Sequence, residues 1–264
     1  MTTKITNYCC ISFLIACLFL LSTTVYGKET KKYYYQIKIY RLANEGQEKK
    51  TENYLQTAYL PALHRLGIKS VGVFKPAQKD TGDQLLYVFI PFTSLSEFEQ
   101  LEQKLEKDNQ YQADGKEYID AIYNDVAYKR FESIILKAFS GMPGFAVPSL
   151  TAPKPERIYE LRSYEGPTEK YYHNKVKMFN DGDEVGLFKR LGFNAVFYAE
   201  VISGSHMPNL MYMTTFNSKE DRDKHWDAFS NDPQWKTLVA KPEYQHNVSK
   251  AEIFLLHPTE YSDF

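Results

Sequence analysis

The stretches "HRLGIKSVGVFKP" (residues 64–76) and "KRLGFNAVFYAEV" (189–201) decide the fold of this chain. Each sets Arg-Leu-Gly ahead of an alternating apolar run, and the second follows the first by about 125 positions. A glycine just past a helix takes the left-handed conformation without a Cβ clash. Gly67 and Gly192 are therefore read as helix stops, and the runs after them as strands with period-two alternation.

Working outwards, both copies fall into register. "YYYQIKIYRL" (33–42) matches "RIYELRSYEG" (157–166), with Tyr35 on Tyr159, Lys38 on Arg162 and Tyr40 on Tyr164. In the first copy Leu55, Ala58, Tyr59, Ala62, Leu63 and Leu66 recur at helical spacing. In the second, Tyr172, Val176 and Phe179 do so, followed after a break by Val185, Phe188 and Leu191. A third strand is read in "QLLYVFI" (84–90) and "LMYMTTF" (210–216). Ser94 with Glu97, and Ser218 with Asp221, have capping-box spacing and open a second helix in each copy. Asp232-Pro233 reads as a further N-cap and first helical position. "YKRFESIILK" (128–137) and "VSKAEIFLL" (248–256) supply the last strands.

The order is β-α-β-β-α-β, twice, which is the ferredoxin-like pattern. The fold class is α+β, with repeats at 33–138 and 157–257. Between them runs "FSGMPGFAVPSLTAPKPE" (139–156), a linker holding four prolines and two glycines. A four-stranded sheet with helices on one face leaves the other face bare. The two sheets are therefore expected to cover each other as one barrel within the chain, helices outside.

The first 27 residues read as an export signal: Lys4, an apolar core from Ile11 to Leu21, and a cleavage site at Val25-Tyr26-Gly27. The core is too short to span a bilayer of about 30 Å. The expected location is the periplasm or the exterior, with no transmembrane span in the mature chain. The alternative is a lipid anchor on Cys17, because Leu14-Ile15-Ala16-Cys17 fits a lipobox. Cys9, Cys10 and Cys17 are the only cysteines, so a chain cut near Gly27 has no disulfide, thiolate nucleophile or Cys-held metal. A net charge of −1 argues against nucleic acid as a partner. With 21 Tyr and 17 Phe the core should be rich in aromatic strands.

The second copy also resembles a known family. "RIYELRSYEG", the helix ending "KRLGFNAVFYAEV", then "NLMYMTTFNSKEDRDKHWDAF" and "DPQWKTL" are similar to the NIPSNAP domain over about 157–256. The first copy keeps the skeleton, with Tyr-Gln-Ile-Lys for Tyr-Glu-Leu-Arg and no Trp. The resemblance implies the dimeric α/β-barrel superfamily, which includes cofactor-free monooxygenases and haem enzymes; it implies no particular chemistry.

Strand alternation nominates a site. Tyr159 and Leu161 are expected to face the helices. Glu160, Arg162 and Tyr164, with Gln36, Lys38 and Tyr40 opposite and Tyr212 from the third strand, are expected inside the barrel. Buried charges imply partners. One arrangement is a small polar ligand between the sheets, held by Glu160, Arg162 and Lys38 and oriented by Tyr40, Tyr164 and Tyr212. The other is an ion-pair network that only seals the barrel. A metal-independent oxygenase or isomerase would use Arg162, Tyr164 and His173. A haem-binding barrel would use His225 or His173, as a helix histidine serves in haem-binding relatives of the barrel. No cofactor is otherwise called for, and His spacing signals no metal. Trp226 and Trp235 are read as anchors of the outer helices. "NDGDE" (180–184) is read as a solvated helix break and "SGSHMPN" (203–209) as a hairpin connection. Further oligomerisation of whole chains is left open.

Overall fold

A computed structural model describes residues 31–78 and 82–264. The export signal and the lipobox lie outside the described residues. Eight antiparallel strands close one barrel in the order β1-β3-β2-β8-β5-β7-β6-β4. The strands are β1 (Tyr34–Leu42), β2 (Gly72–Pro76), β3 (Gln84–Phe92), β4 (Arg130–Ala138), β5 (Ile158–Glu165), β6 (Phe197–Ser203), β7 (Asn209–Phe216) and β8 (Lys250–Pro258). Each repeat contributes four neighbouring strands. β2 pairs with β8 and β4 pairs with β6 across the two joins, so no sheet edge is left open.

The first helical layer of the N-terminal repeat is α1 (Glu45–Tyr54), a π-helical turn (Leu55–Tyr59) and α2 (Leu60–Arg65). The C-terminal repeat answers with α7 (Glu169–Asn180) and α8 (Glu184–Arg190). Gly67 and Gly192 end these layers at φ +93° and +76°, as the Arg-Leu-Gly echo requires. The second helical layer is cut into α3 (Leu95–Glu99), α4 (Leu101–Glu106), α5 (Asn109–Asp114) and α6 (Lys116–Ile119) in the first repeat. In the second it is α9 (Lys219–Asn231) and α10 (Pro233–Val239). Both capping boxes form. The Glu97 and Asp221 amides donate to Ser94 and Ser218, and the two carboxylates accept from the Thr93 and Asn217 amides. Among the described residues no helix is long and apolar enough to cross a membrane.

The barrel is filled by side chains from both repeats. Tyr35, Ile37, Phe74, Phe89 and Leu136 meet Tyr159, Leu161, Phe197, Met211 and Met213 in one buried cluster. Phe89 stacks on Phe197 at 5.1 Å and Phe74 meets Tyr159 at 4.8 Å. Phe264 is 3% exposed and puts its ring against Phe74, Phe89 and Tyr159. Asp263 holds the tail in place by accepting from the Val71 amide and contacting His64 Nε2 at 2.8 Å.

This packing reverses one expectation from the sequence. Tyr159 and Leu161 point into the barrel, whereas Glu160, Arg162 and Tyr164 point at the helices. Lys38 and Tyr40 do the same in the first repeat. Both faces of the sheet are buried, so alternation separates the faces without telling which is which. The apolar set takes the barrel, where the side chains that meet it are apolar or aromatic and bring no counter-charge. The polar set takes the face that helices can supply with partners.

Phe264→Ala should lower stability by about 3–4 kcal/mol, as loss of a buried ring does. Guanidinium unfolding measures it, and a change under about 0.5 kcal/mol would show that the ring is not part of the core.

Candidate functional site

Two sheet–helix layers hold the polar strand residues, and they differ. In the C-terminal repeat Glu160 is fully buried. Its carboxylate accepts from Arg162 Nε at 2.5 Å, Arg222 Nε at 2.7 Å, Arg222 Nη2 at 3.1 Å and Trp226 Nε1 at 2.8 Å. Arg162 Cζ lies 3.6 Å from the Trp226 ring centroid, and its Nη1 donates to Tyr164 Oη at 2.8 Å. Tyr164 Oη is in turn 2.9 Å from Tyr212 Oη. Burial opposes the charge of Arg162, but Tyr212, Tyr164 and Glu160 outweigh it, leaving its pKa above the ordinary arginine value.

Beside this cluster the buried Lys175 reaches Glu184 at 2.8 Å. Burial raises the Glu184 pKa, with Lys175 and Arg162 opposing. Arg222 also pairs with Asp223 at 2.8 Å. Three cations thus face three carboxylates, and every one has a partner. The structure therefore joins Glu160, Arg162, Tyr164 and Tyr212 as an ion-pair network, under the helices rather than between the sheets. Trp226 is the anchor expected of it, through its ring and its N–H. The "NDGDE" break is present, but Glu184 is not solvated: Lys175 draws it into the core.

His173 is exposed on α7 and shares no hydrogen bond with Arg162 or Tyr164 among the described residues. His225 is half-buried, with Nδ1 2.7 Å from the Asp221 carbonyl oxygen and its ring against Phe193 and Phe216. Among the described residues no three His, Cys, Asp or Glu side chains gather in a way that could hold a metal ion.

In the N-terminal repeat the matching layer is open. A cavity of about 630 Å³ lies between β1, β4 and the helices. Lys38 is in its floor, 4.7 Å from the Phe131 ring centroid and 5.3 Å from those of Tyr40 and Tyr59. Its neighbour Gln36 is 7% exposed and donates to Ser133 Oγ at 2.7 Å. Tyr54 and Tyr118 stack at 3.7 Å, and Tyr54 Oη lies 2.9 Å from Tyr111 Oη. Burial pushes the Tyr59 phenol up to about 12, with Lys38 opposing, so this wall of the cage is neutral at ordinary pH.

Gln36, Lys38, Phe98 and Glu102 occupy the places of Glu160, Arg162, Arg222 and Trp226, all at the same offset in the sequence. The tyrosine cage was not read from the sequence: Tyr54 and Tyr59 are five apart and share a face only because a π-helical turn joins them. Arg222 and Trp226 were also missed as Glu160 partners, although their i, i+4 spacing marks one helix face.

With the geometry set out, the known proteins similar to this chain fall into place. Residues 159–263 match the NIPSNAP family model. The C-terminal repeat is similar to the NIPSNAP domain over this span. A NIPSNAP family protein from Agrobacterium tumefaciens shares 22% identity over 40% of this chain and 96% of its own, with a TM-score of 0.36. Over the whole barrel, the chain is similar in structure to a proposed monooxygenase from Lactobacillus acidophilus. That likeness has a TM-score of 0.54 at 11% identity and covers 86% of this chain and 94% of the other. A proposed monooxygenase from Fusobacterium nucleatum gives a TM-score of 0.54 at 6% identity, covering 87% and 93%. These two whole-barrel likenesses show the dimeric α/β-barrel fold alone. No curated protein matches the sequence.

Glu160→Gln should destabilise the protein by about 3–5 kcal/mol, because it leaves two buried guanidinium groups without their shared anion. Lys250→Ala, at a side chain 51% exposed, should change stability by less than about 0.5 kcal/mol. Urea unfolding of both variants checks this; equal losses would contradict a buried network centred on Glu160.

Proposed function

We propose that this protein is an exported small-molecule-binding protein whose ligand lodges between the sheet and the helices of its N-terminal repeat, with the NIPSNAP-like repeat as the rigid partner that closes the barrel. One observation carries this reading. The two repeats place polar side chains at the same strand positions, yet one layer is closed by mutual pairing and the other is an aromatic-walled cavity of about 630 Å³. Ligand sites are concave, with aromatic and apolar walls and placed polar groups; the open layer has such walls in Tyr54, Tyr59, Tyr118 and Phe131 and the Lys38 amine at its floor.

The barrel interior is a weaker candidate, because aromatic rings fill it. Two other cavities, about 690 and 830 Å³, lie between the linker, α8, the start of α9 and the β6–β7 side of the C-terminal repeat, and against β2, β3 and β8. Of the charged side chains that line them, Lys189, Glu156, Lys219 and Glu220 are exposed and Asp221 accepts from the Asn217 amide, so each is solvated or partnered, whereas Lys38 has no carboxylate within ion-pair distance among the described residues. A catalytic role for Arg162, Tyr164 and His173 has less support, since Arg162 is fully engaged and His173 stands apart. Export rests on the first 27 residues.

A thermal-shift panel of small organic acids, amines and neutral aromatics tests the binding reading. At least one class should raise Tm. Glu102→Trp, which puts the C-terminal repeat's residue at the cavity wall, should abolish the shift, whereas Lys189→Trp at the linker cavity should not. The reading fails if no class shifts Tm, or if Glu102→Trp leaves the shift intact.

Export is tested by the intact mass of protein purified from the natural host. A cut close to Gly27 is expected. A diacylglycerol adduct on Cys17 would replace the soluble form with the lipid-anchored one, and an uncut chain would refute export.

A further inference from the structure

We infer that the N-terminal cavity is built for a planar monocarboxylate, whose negative charge Lys38 neutralises at the cavity floor. This rests on the binding reading above and names the ligand class for the same site.

The argument is a comparison within the molecule. At one strand position both repeats carry a cation, Arg162 or Lys38. Two residues earlier on the same face the C-terminal repeat carries Glu160, whose carboxylate takes the guanidinium at 2.5 Å. The N-terminal repeat has Gln36 there. The amide has the shape of Glu160 without its charge, and it is already engaged with Ser133 Oγ. The helix above has also changed. Phe98 stands for Arg222, the second cation, so the open layer needs one negative charge, not two.

The groups that do face Lys38 are rings: Tyr40, Tyr59 and Phe131. Burial opposes the charge on the amine, but Tyr40 and Tyr59 outweigh it and hold its pKa above the ordinary lysine value, so the group stays protonated. Rings stabilise a cation through their faces but leave its N–H donors without an anion. Among the described residues no carboxylate comes within ion-pair distance of that amine.

Glu99, Glu102 and Glu106 also line the cavity, all exposed and all from α3 and α4. They line the helix wall, with Glu102 at the place of Trp226 and none within ion-pair distance of Lys38 among the described residues. Their charge disfavours phosphates and dicarboxylates entering past them, and a single carboxylate meets the least repulsion. Planarity follows from the walls. Tyr54 and Tyr118 stack on each other, and with Tyr128 and Phe131 they present ring surfaces to the cavity that suit a flat, conjugated body.

Isothermal titration calorimetry on the purified protein tests this with benzoate, its neutral isostere benzamide and the dianion phthalate as probes. Benzoate should bind at least tenfold more tightly than either. Lys38→Met should abolish benzoate binding and Lys38→Arg should retain it. Gln36→Glu, which installs the anion found in the other repeat, should also abolish it while Tm stays equal or rises. That readout separates occupied charge from a damaged fold.

Equal binding of benzamide, or benzoate binding that survives both Lys38→Met and Gln36→Glu, would overturn the carboxylate assignment and leave the cavity reading standing. So would a panel in which only amines or neutral aromatics shift Tm. No binding of any class would overturn both.

Discussion

Closure of the sheet on itself is the constraint from which the rest follows. Once β2 pairs with β8 and β4 with β6, one face of every strand looks into the barrel and the other looks at a helix. In β1, β3, β5 and β7 neither face meets bulk water over most of its area. A charged residue on a strand then needs a partner delivered from elsewhere in the fold. The barrel does not deliver one, because the strand side chains, the linker residues Phe145 and Leu150 and the Phe264 tail that pack there are apolar or aromatic. A helix can, because its side chains are long and arrive at fixed spacing. Glu160 with Arg222 and Trp226 is the result in the C-terminal repeat.

The two repeats show what duplication permits. The barrel needs both halves for closure, but it needs only one polar layer to be fully paired. The C-terminal repeat keeps its carboxylate, two guanidinium groups and indole, and its layer is closed. At the matching positions the N-terminal repeat has an amide, a phenyl ring and an exposed glutamate. Its second helical layer is also broken into four short pieces where the other repeat has two helices. Loss of the bulky pairing groups and loss of helix regularity open the same region. The layer without the Glu160-type pairing is the one that holds a cavity around its strand cation.

Much of this fold was legible from residues alone. Gly67 and Gly192, the Ser94 and Ser218 capping boxes and the strand registers follow from local chemistry, and local chemistry does not depend on which way a sheet later turns. Pairing Lys38 with Arg162 and Gln36 with Glu160 needed only the alignment of one half on the other. The barrel followed because two half-covered sheets in one chain have each other to cover. What failed was the assignment of faces. Alternation in "YELRSY" gives two sets of residues, and in a sheet buried on both sides the rule of polar outwards has no outward side to refer to.

The sequence by itself therefore determined the duplicated β-α-β-β-α-β order, the helix stops and the identity of the polar strand positions, because each depends on neighbours within a few residues. Only the tertiary structure decided that those positions lie beneath helices. It alone set Arg222 and Trp226 onto Glu160 across more than sixty residues, and gathered Tyr54, Tyr59 and Phe131 around an amine without an anion. Those outcomes depend on which surfaces meet when the barrel closes, and a linear pattern carries no record of that.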